Sequence, residues 1–290
     1  MTADAILRNP TLHPNALQAS EHAASFKWHG HAHSPRSSQV FCLSAFGTLR
    51  NITAGNRVLA GLLAEAFPEI ARPGRPRAWA ISPEHEDEML LNERGVKQPT
   101  SVDCLCTSTQ EVVCIESKFV SDAAEGFGQC GQAVNGPCAG FYGPGSDLKT
   151  GTDAWCRLEG WEGARSPRLY WSLGRSYFRP EVFAQQGRDE SCPFVGPNYQ
   201  LMRNFLFAAA MAERDGRKFF GVLAICPEPT AGKLALQVDR FRNEVLLPRY
   251  RDRVRFLTYE RLIHHLRMTA EMEALELAGS LEERIDTVCR

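Results

Sequence analysis

The chain has 290 residues, 43% hydrophobic and 23% charged, with a net charge of −1. These are ordinary globular values, long enough for one large core; they exclude a disordered or coiled-coil chain and give no bulk attraction to nucleic acid, so any such binding needs a local patch. No apolar run reaches a membrane span and the first residues lack a signal-peptide core, so a cytoplasmic location is expected and the ten cysteines read as thiols or metal ligands rather than a secreted disulfide framework.

Residues 1–36 carry five of the eight histidines (His13, His22, His29, His31 and His33) among Pro, Asn and Ser. They read as a flexible N-terminal arm rather than a metal-binding tract. From Ser37 the pattern turns helical. Phe41, Leu43, Phe46 and Leu49 fit one helix capped by Ser37 or Ser38, and Val58, Leu59, Leu62, Leu63 and Ala66 fit a second with Asn56 as cap. Glu65 is the one carboxylate of this region that could approach a site, and it reads as a surface residue. Arg77 to Ser82 is a short strand closed by Pro83. Glu84, Glu86 and Glu88 follow in a block of like charge, which predicts a solvated loop. Glu93 leads into the next segment and is a candidate third carboxylate.

Thr100 to Phe119 is the most informative stretch. Two runs rich in Val, Ile, Cys and Thr flank a polar centre, which predicts two strands and a tight turn. With the turn centred between Thr109 and Gln110, antiparallel pairing sets Asp103 opposite Glu116, and period-2 alternation brings Lys118 to the same face. The other face is then apolar, carrying Val102, Cys104, Val113 and Ile115. Two directly opposed carboxylates destabilise a strand pair unless a positive charge lies between them. A hard divalent cation with oxygen ligands supplies that charge, Mg²⁺ above all, since it keeps its waters and takes only one or two carboxylates. A lysine at its edge can position or deprotonate water, or neutralise a phosphoryl group. The bland alternative is a solvated strand face on which the three residues meet by chance.

Residues 121–198 form an insertion rich in Gly, Cys and aromatics. Cys130, Cys138, Cys156 and Cys192 punctuate it; they either bind a structural Zn²⁺ as four thiolates or stand as buried free cysteines, and with no Cys-x-x-Cys pair the spacing does not choose. Arg157, Arg165, Arg168, Arg175 and Arg179 alternate there with Trp155, Trp161, Tyr170, Trp171 and Tyr177, a composition suited both to phosphate and base contacts and to packing on the core. Tyr199 to Glu213 is a helix apolar nearly all round, with a polar stripe of Gln200, Arg203 and Asn204 in its first turns. A polar stripe on a buried helix must be hydrogen-bonded, either in an active-site cleft or to loop backbone. Lys218 to Cys226 is a buried strand, Leu234 to Leu247 a helix, and Arg253 to Tyr259 a last strand. Arg240, Arg242, Arg249, Arg251, Arg253 and Arg255 make this the most basic part of the chain, fit for phosphate-backbone contact. Residues 267–290 are a helical tail. The order of elements gives an α/β fold with a mixed central sheet.

Asp103 followed by Glu116-Ser117-Lys118 resembles the Asp…Glu-x-Lys signature of the PD-(D/E)XK nuclease superfamily. The wider run, from Ser37-Ser38-Gln39-Val40-Phe41-Cys42 through Tyr199-Gln200-Leu201-Met202-Arg203-Asn204, is similar to a bacterial restriction-endonuclease branch. Val102 stands where many members have Pro. The resemblance implies a restriction-endonuclease-like αβββαβ core over residues 37–266. It also implies a metal-dependent endonuclease acting on DNA in restriction or phage defence, with Mg²⁺ or Mn²⁺ held by Asp103 and Glu116 and Lys118 assisting the attacking water. Gln200 lies where RecB-like members carry a helical Gln beside the metal, with Arg203 a weaker candidate. A homodimer is left open. The alternative is a catalytically silent nuclease-like DNA-binding or assembly module, and a third reading is a zinc-stabilised interaction protein.

Overall fold

The computed structural model describes residues 9–21, 26–71, 78–95, 99–119, 126–128, 130, 168–183, 194 and 196–289. Helix α1 starts at Ser38–Cys42 with the Ser37 side chain accepting from the Val40 N–H, as its sequence predicts, and continues through a π-helical turn (Leu43–Gly47) to Thr48–Asn51. Helix α2 is Gly55–Ala66. Asn56 is not its cap: that residue is in the first turn, and its side chain accepts from the Trp79 N–H at 2.5 Å, tying α2 to the first strand.

The strands are β1 (Ala80–Glu86), β2 (Ser101–Thr107), β3 (Glu111–Ser117), β4 (Phe219–Cys226) and β5 (Val254–Thr258). They form one sheet in the order β1-β2-β3-β4-β5, antiparallel across the first three and parallel across the last three, which is the mixed sheet expected. Between β3 and β4 come the short helices α3 (Tyr170–Gly174) and α4 (Pro180–Phe183) and the long α5 (Tyr199–Arg214). Helix α6 (Ala231–Arg240) joins β4 to β5, and α7 (Tyr259–Arg267) and α8 (Met272–Cys289) complete the chain. Pro83 does not close β1; the strand runs on to Glu86 with Pro83 opposite Cys104. An edge strand accommodates a residue without an N–H.

Each face of the sheet has its own core. Cys104, Cys106, Val113, Ile115, Leu223 and Ile225 pack under α1, α2, α7 and α8. Leu105, Val112, Cys114, Val222, Ala224 and Cys226 pack against α5 and α6. All of β3 is buried, as a strand covered on both faces must be. Val102 is the exception to the expected alternation: it lies in the α5 core, whereas Cys104 lies in the other.

Two segments read as peripheral are part of the packing. The described residues of 1–36 lie on α1, with Ala16 and Ala32 fully buried, the His13 N–H donated to Ser44 Oγ, and Asn9 Nδ2 bonded to the carbonyls of Ala32 and Ser34. A Cβ on Gly47 would come within 2.4 Å of the Ala16 carbonyl, so glycine there permits the close approach. Helix α8 buries Ala274, Leu277, Ala278, Leu281 and Ile285 in the first core, so the tail completes that layer.

Phe41 is a central packing residue: its ring stacks on Phe119 at 3.8 Å and meets Tyr259 edge-on at 4.7 Å. Phe41→Ala is expected to cost about 3–5 kcal/mol in urea denaturation; a loss below about 1 kcal/mol would contradict this packing.

Candidate active site

The ladder between β2 and β3 is paired from Cys104↔Ile115 to Thr107↔Val112. One further rung in the same register sets Asp103 opposite Glu116, as the sequence argument requires, and there the strands separate. Asp103 turns its carboxylate across the gap to accept the Ser117 N–H at 2.7 Å. Glu116 is only 2% exposed and shares a face with Val112 and Cys114, against α5. Asn204 on α5 donates to Glu116 Oε2 at 2.6 Å, and Lys118 Nζ pairs with Glu116 Oε1 at 2.9 Å. Lys118 Nζ also donates to Gln200 Oε1 at 2.7 Å. The structure therefore brings together Asp103, Glu116, Lys118 and Gln200.

Local geometry explains how these groups hold position. The Lys118 N–H bonds the Ile225 carbonyl, which extends the β3–β4 ladder one residue past Ser117. Phe119 is anchored by its N–H to Ser38 Oγ at 2.9 Å and by its ring on Phe41. Gln200 is tied by its N–H to the Phe127 carbonyl at 2.8 Å. Gly128, at φ +71°, lies against the Gln200 side chain, where a Cβ would come within 3.0 Å. A larger residue there would need both an unfavourable backbone conformation and displacement of Gln200.

The polar stripe on α5 divides between two networks. Gln200 and Asn204 face the Asp103–Glu116 gap, while Arg203 donates to Thr100 Oγ1 at 3.0 Å and stands 3.8 Å from Glu93. Glu93 is fully buried, accepting the Thr100 N–H at 2.7 Å and the Tyr170 hydroxyl. It serves that structural network, and its contacts are there rather than with Asp103 or Glu116. Glu65 is bound to Arg261 at 2.6 and 2.9 Å and to His265 at 2.9 Å, on the surface between α2 and α7.

Sequence reasoning misplaced Glu84. It is a strand residue of β1, between the pairs Pro83↔Cys104 and His85↔Val102, and so level with Asp103. Gln39 of α1, 3% exposed, donates to Glu84 Oε2 at 2.7 Å. An edge strand tolerates Pro83, so β1 can run on through Glu84, but the left-handed backbone at Glu84 (φ +51°) breaks the period-2 alternation that would have placed its side chain. The His29 backbone N–H donates to Gln39 Oε1 at 2.9 Å, and its imidazole is held low first by burial and then by the charge of Lys118. Burial, then repulsion from Asp103, raises the Glu84 carboxyl well above the usual range. Burial, then repulsion from Glu116, raises Asp103 to about 8 against the opposing pull of Lys118 and the Ser117 N–H.

Three carboxyl groups and one ammonium make an all-oxygen donor set, and among the described residues Glu84 Oε1 is buried without a hydrogen-bond partner. Among the described residues no three His, Cys, Asp or Glu side chains enclose an ion directly. The donor set fits a hydrated hard cation that takes one or two carboxylates and keeps its water. Of the four cysteines considered for zinc, Cys130 is buried beside α5, and Cys138, Cys156 and Cys192 lie outside the described residues.

Arg242, Arg253 and Arg255 of the basic stretch have partners within the protein. Arg242 pairs with Asp239 at 3.0 Å and Asp252 at 3.4 Å, and Arg255 pairs with Asp252 at 2.9 Å. Arg253 lies 4.2 Å over the Phe219 ring. These guanidiniums serve the fold, and they gather where β5 enters the sheet, at the end opposite Lys118.

The raised Asp103 carboxyl makes a pH prediction for the protein in EDTA. The folded state holds a proton that the unfolded chain has released, so stability falls as pH rises from about 4 to about 8. Thermal melts across that range should show the decline in the wild type and a flatter profile in Asp103→Asn; identical profiles would contradict the assigned repulsion.

No curated protein and no solved structure matches the chain. A family model does, that described as Restriction Endonuclease associating with ARP, and it matches residues 4–284. The match spans the N-terminal residues on α1, the hairpin with Asp103, Glu116 and Lys118, and most of α8, and on that extent the chain belongs to this restriction-endonuclease family.

Proposed function

We propose that this protein is a divalent-metal-dependent endonuclease that hydrolyses DNA phosphodiester bonds. The observation that carries the reading is the convergence of Asp103, Glu116 and Lys118 where β2 and β3 part, with Gln200 on the lysine. Membership of a restriction-endonuclease family supports DNA as substrate, and supports Mg²⁺ or Mn²⁺ as cofactor.

Asp103 and Glu116 would hold the cation. When bound, it stabilises charge developing on the phosphoryl oxygens as a Lewis acid. Asn204 fixes the Glu116 carboxylate by binding Oε2, which leaves Oε1 directed to the lysine side. Gln200 and Glu116 together place the Lys118 ammonium, which would neutralise charge on the phosphoryl group and position the attacking water. Ser117 is committed elsewhere: its N–H goes to Asp103, and its hydroxyl bonds Tyr259 at 2.6 Å. The proposal extends to a role in restriction or phage defence, which the same family membership supports, and to a cytoplasmic location. Among the described residues no helix is long and apolar enough to cross a membrane.

Purified protein with supercoiled DNA and Mg²⁺ or Mn²⁺ is expected to nick or linearise it and to stop in EDTA. Lys118→Ala should lower the rate by about 10²–10⁴-fold, the usual worth of a positioned acid–base group. DNA retarded in a gel but not cut by the wild type would favour the silent binding module.

Asn204→Leu removes the donor to a buried carboxylate, for which the expected cost is about 1–3 kcal/mol of stability in EDTA. Urea denaturation in EDTA checks this, and unchanged stability would show that Glu116 does not need that donor.

A further inference from the structure

We propose that Glu84 is a third carboxylate of the cation site, set in place by Gln39 from α1 and acting on the hydrated ion across the gap from Asp103. The inference rests on the nuclease reading above and extends it to residues on two other elements.

Four observations support it. Glu84 lies between two paired rungs of β1 and β2, so its position relative to Asp103 is set by the sheet. Its backbone is in the left-handed region at φ +51°, rare for a residue other than glycine, and this interrupts an otherwise extended strand at that residue. The Gln39 amide is fully committed: Nε2 donates to Glu84 Oε2 at 2.7 Å and to the Lys27 carbonyl at 2.9 Å, while Oε1 accepts the His29 N–H at 2.9 Å. One carboxylate oxygen of Glu84 is thereby fixed, and the other, Oε1, is buried with no hydrogen-bond partner among the described residues.

A buried carboxylate oxygen without a donor is costly, and Glu84 stands on β1 level with Asp103. A cation that carries its own water resolves the arrangement, because bound water is a strong donor to an outer carboxylate. Charge agrees: in the ionised forms that a bound cation favours, Asp103, Glu116 and Glu84 bring three negative charges and Lys118 one positive, a net of −2 that a divalent ion neutralises. Neighbouring Glu86 has a different partner, Lys27 at the surface, and supplies the control.

The test is Mn²⁺ binding to the full chain by titration calorimetry at pH 7, without DNA. Glu84→Gln is expected to weaken binding about tenfold or more, the scale seen when groups behind a metal's ligands are lost. Gln39→Ala, which keeps every carboxylate but frees Glu84, should weaken it less, and Glu86→Gln should leave it unchanged. Circular dichroism and a melt in EDTA establish that each variant is folded. Glu84→Gln and Gln39→Ala both binding Mn²⁺ as the wild type does, while Asp103→Asn loses it, would overturn this inference and leave the nuclease reading intact. Absence of Mn²⁺ binding by the wild type would overturn both.

Discussion

Glu116 is a carboxylate buried within a sheet covered on both faces, and the arrangement around it consists of the donors needed to keep it there. Removing such a group from water costs several kcal/mol unless charge and hydrogen bonds are returned to it. Asn204 returns a hydrogen bond from α5, and Lys118 returns charge from the residue after β3. Gln200, one helical turn before Asn204, then holds the lysine. The long apolar helix α5 lies against β3 and β4 for hydrophobic reasons, and its first turns carry the only polar positions suited to that neighbour. Packing and chemistry are therefore set by the same helix–strand contact.

The same requirement explains the separation of β2 from β3. A continued ladder would hold Asp103 and Glu116 face to face with no room between them. Because pairing stops at Cys104↔Ile115, Asp103 can turn to the Ser117 N–H. A gap lined by carboxylates is thus a consequence of their mutual repulsion as much as a space for an ion. On β1, Glu84 adds to the same charge, with Gln39 bridging it to the residues before α1. Those residues, expected to be a loose arm, are held because Ala16, Ala32 and His13 have partners on α1 that only the folded helix supplies.

Local pattern was enough for the hairpin, the helix at Tyr199 and the mixed sheet. The register followed from two apolar runs and a polar turn, and once the register was set Asp103, Glu116 and Lys118 could be placed relative to one another. What was not legible depended on long-range contact. Glu84 looks like part of an acidic loop until β1 is seen to continue through Pro83 as an edge strand. Glu93 looks like a ligand until Thr100, Tyr170 and Arg203 surround it. The arginines near β5 look like a nucleic-acid patch, yet Asp239 and Asp252 from the same stretch pair with them. For the two glutamates the partners are brought in by topology, whereas for Arg242 and Arg255 an aspartate three residues away was already in the sequence.

The central claim is that the gap between β2 and β3 is a divalent-cation site. A crystal structure of the protein grown with Mn²⁺, with anomalous diffraction recorded at the manganese edge, tests it most directly. The account predicts one strong anomalous peak about 2 Å from carboxylate oxygens of Asp103 and Glu116, with water completing the shell. Density showing Lys118 still paired to Glu116, with no anomalous peak beside Asp103, would contradict it.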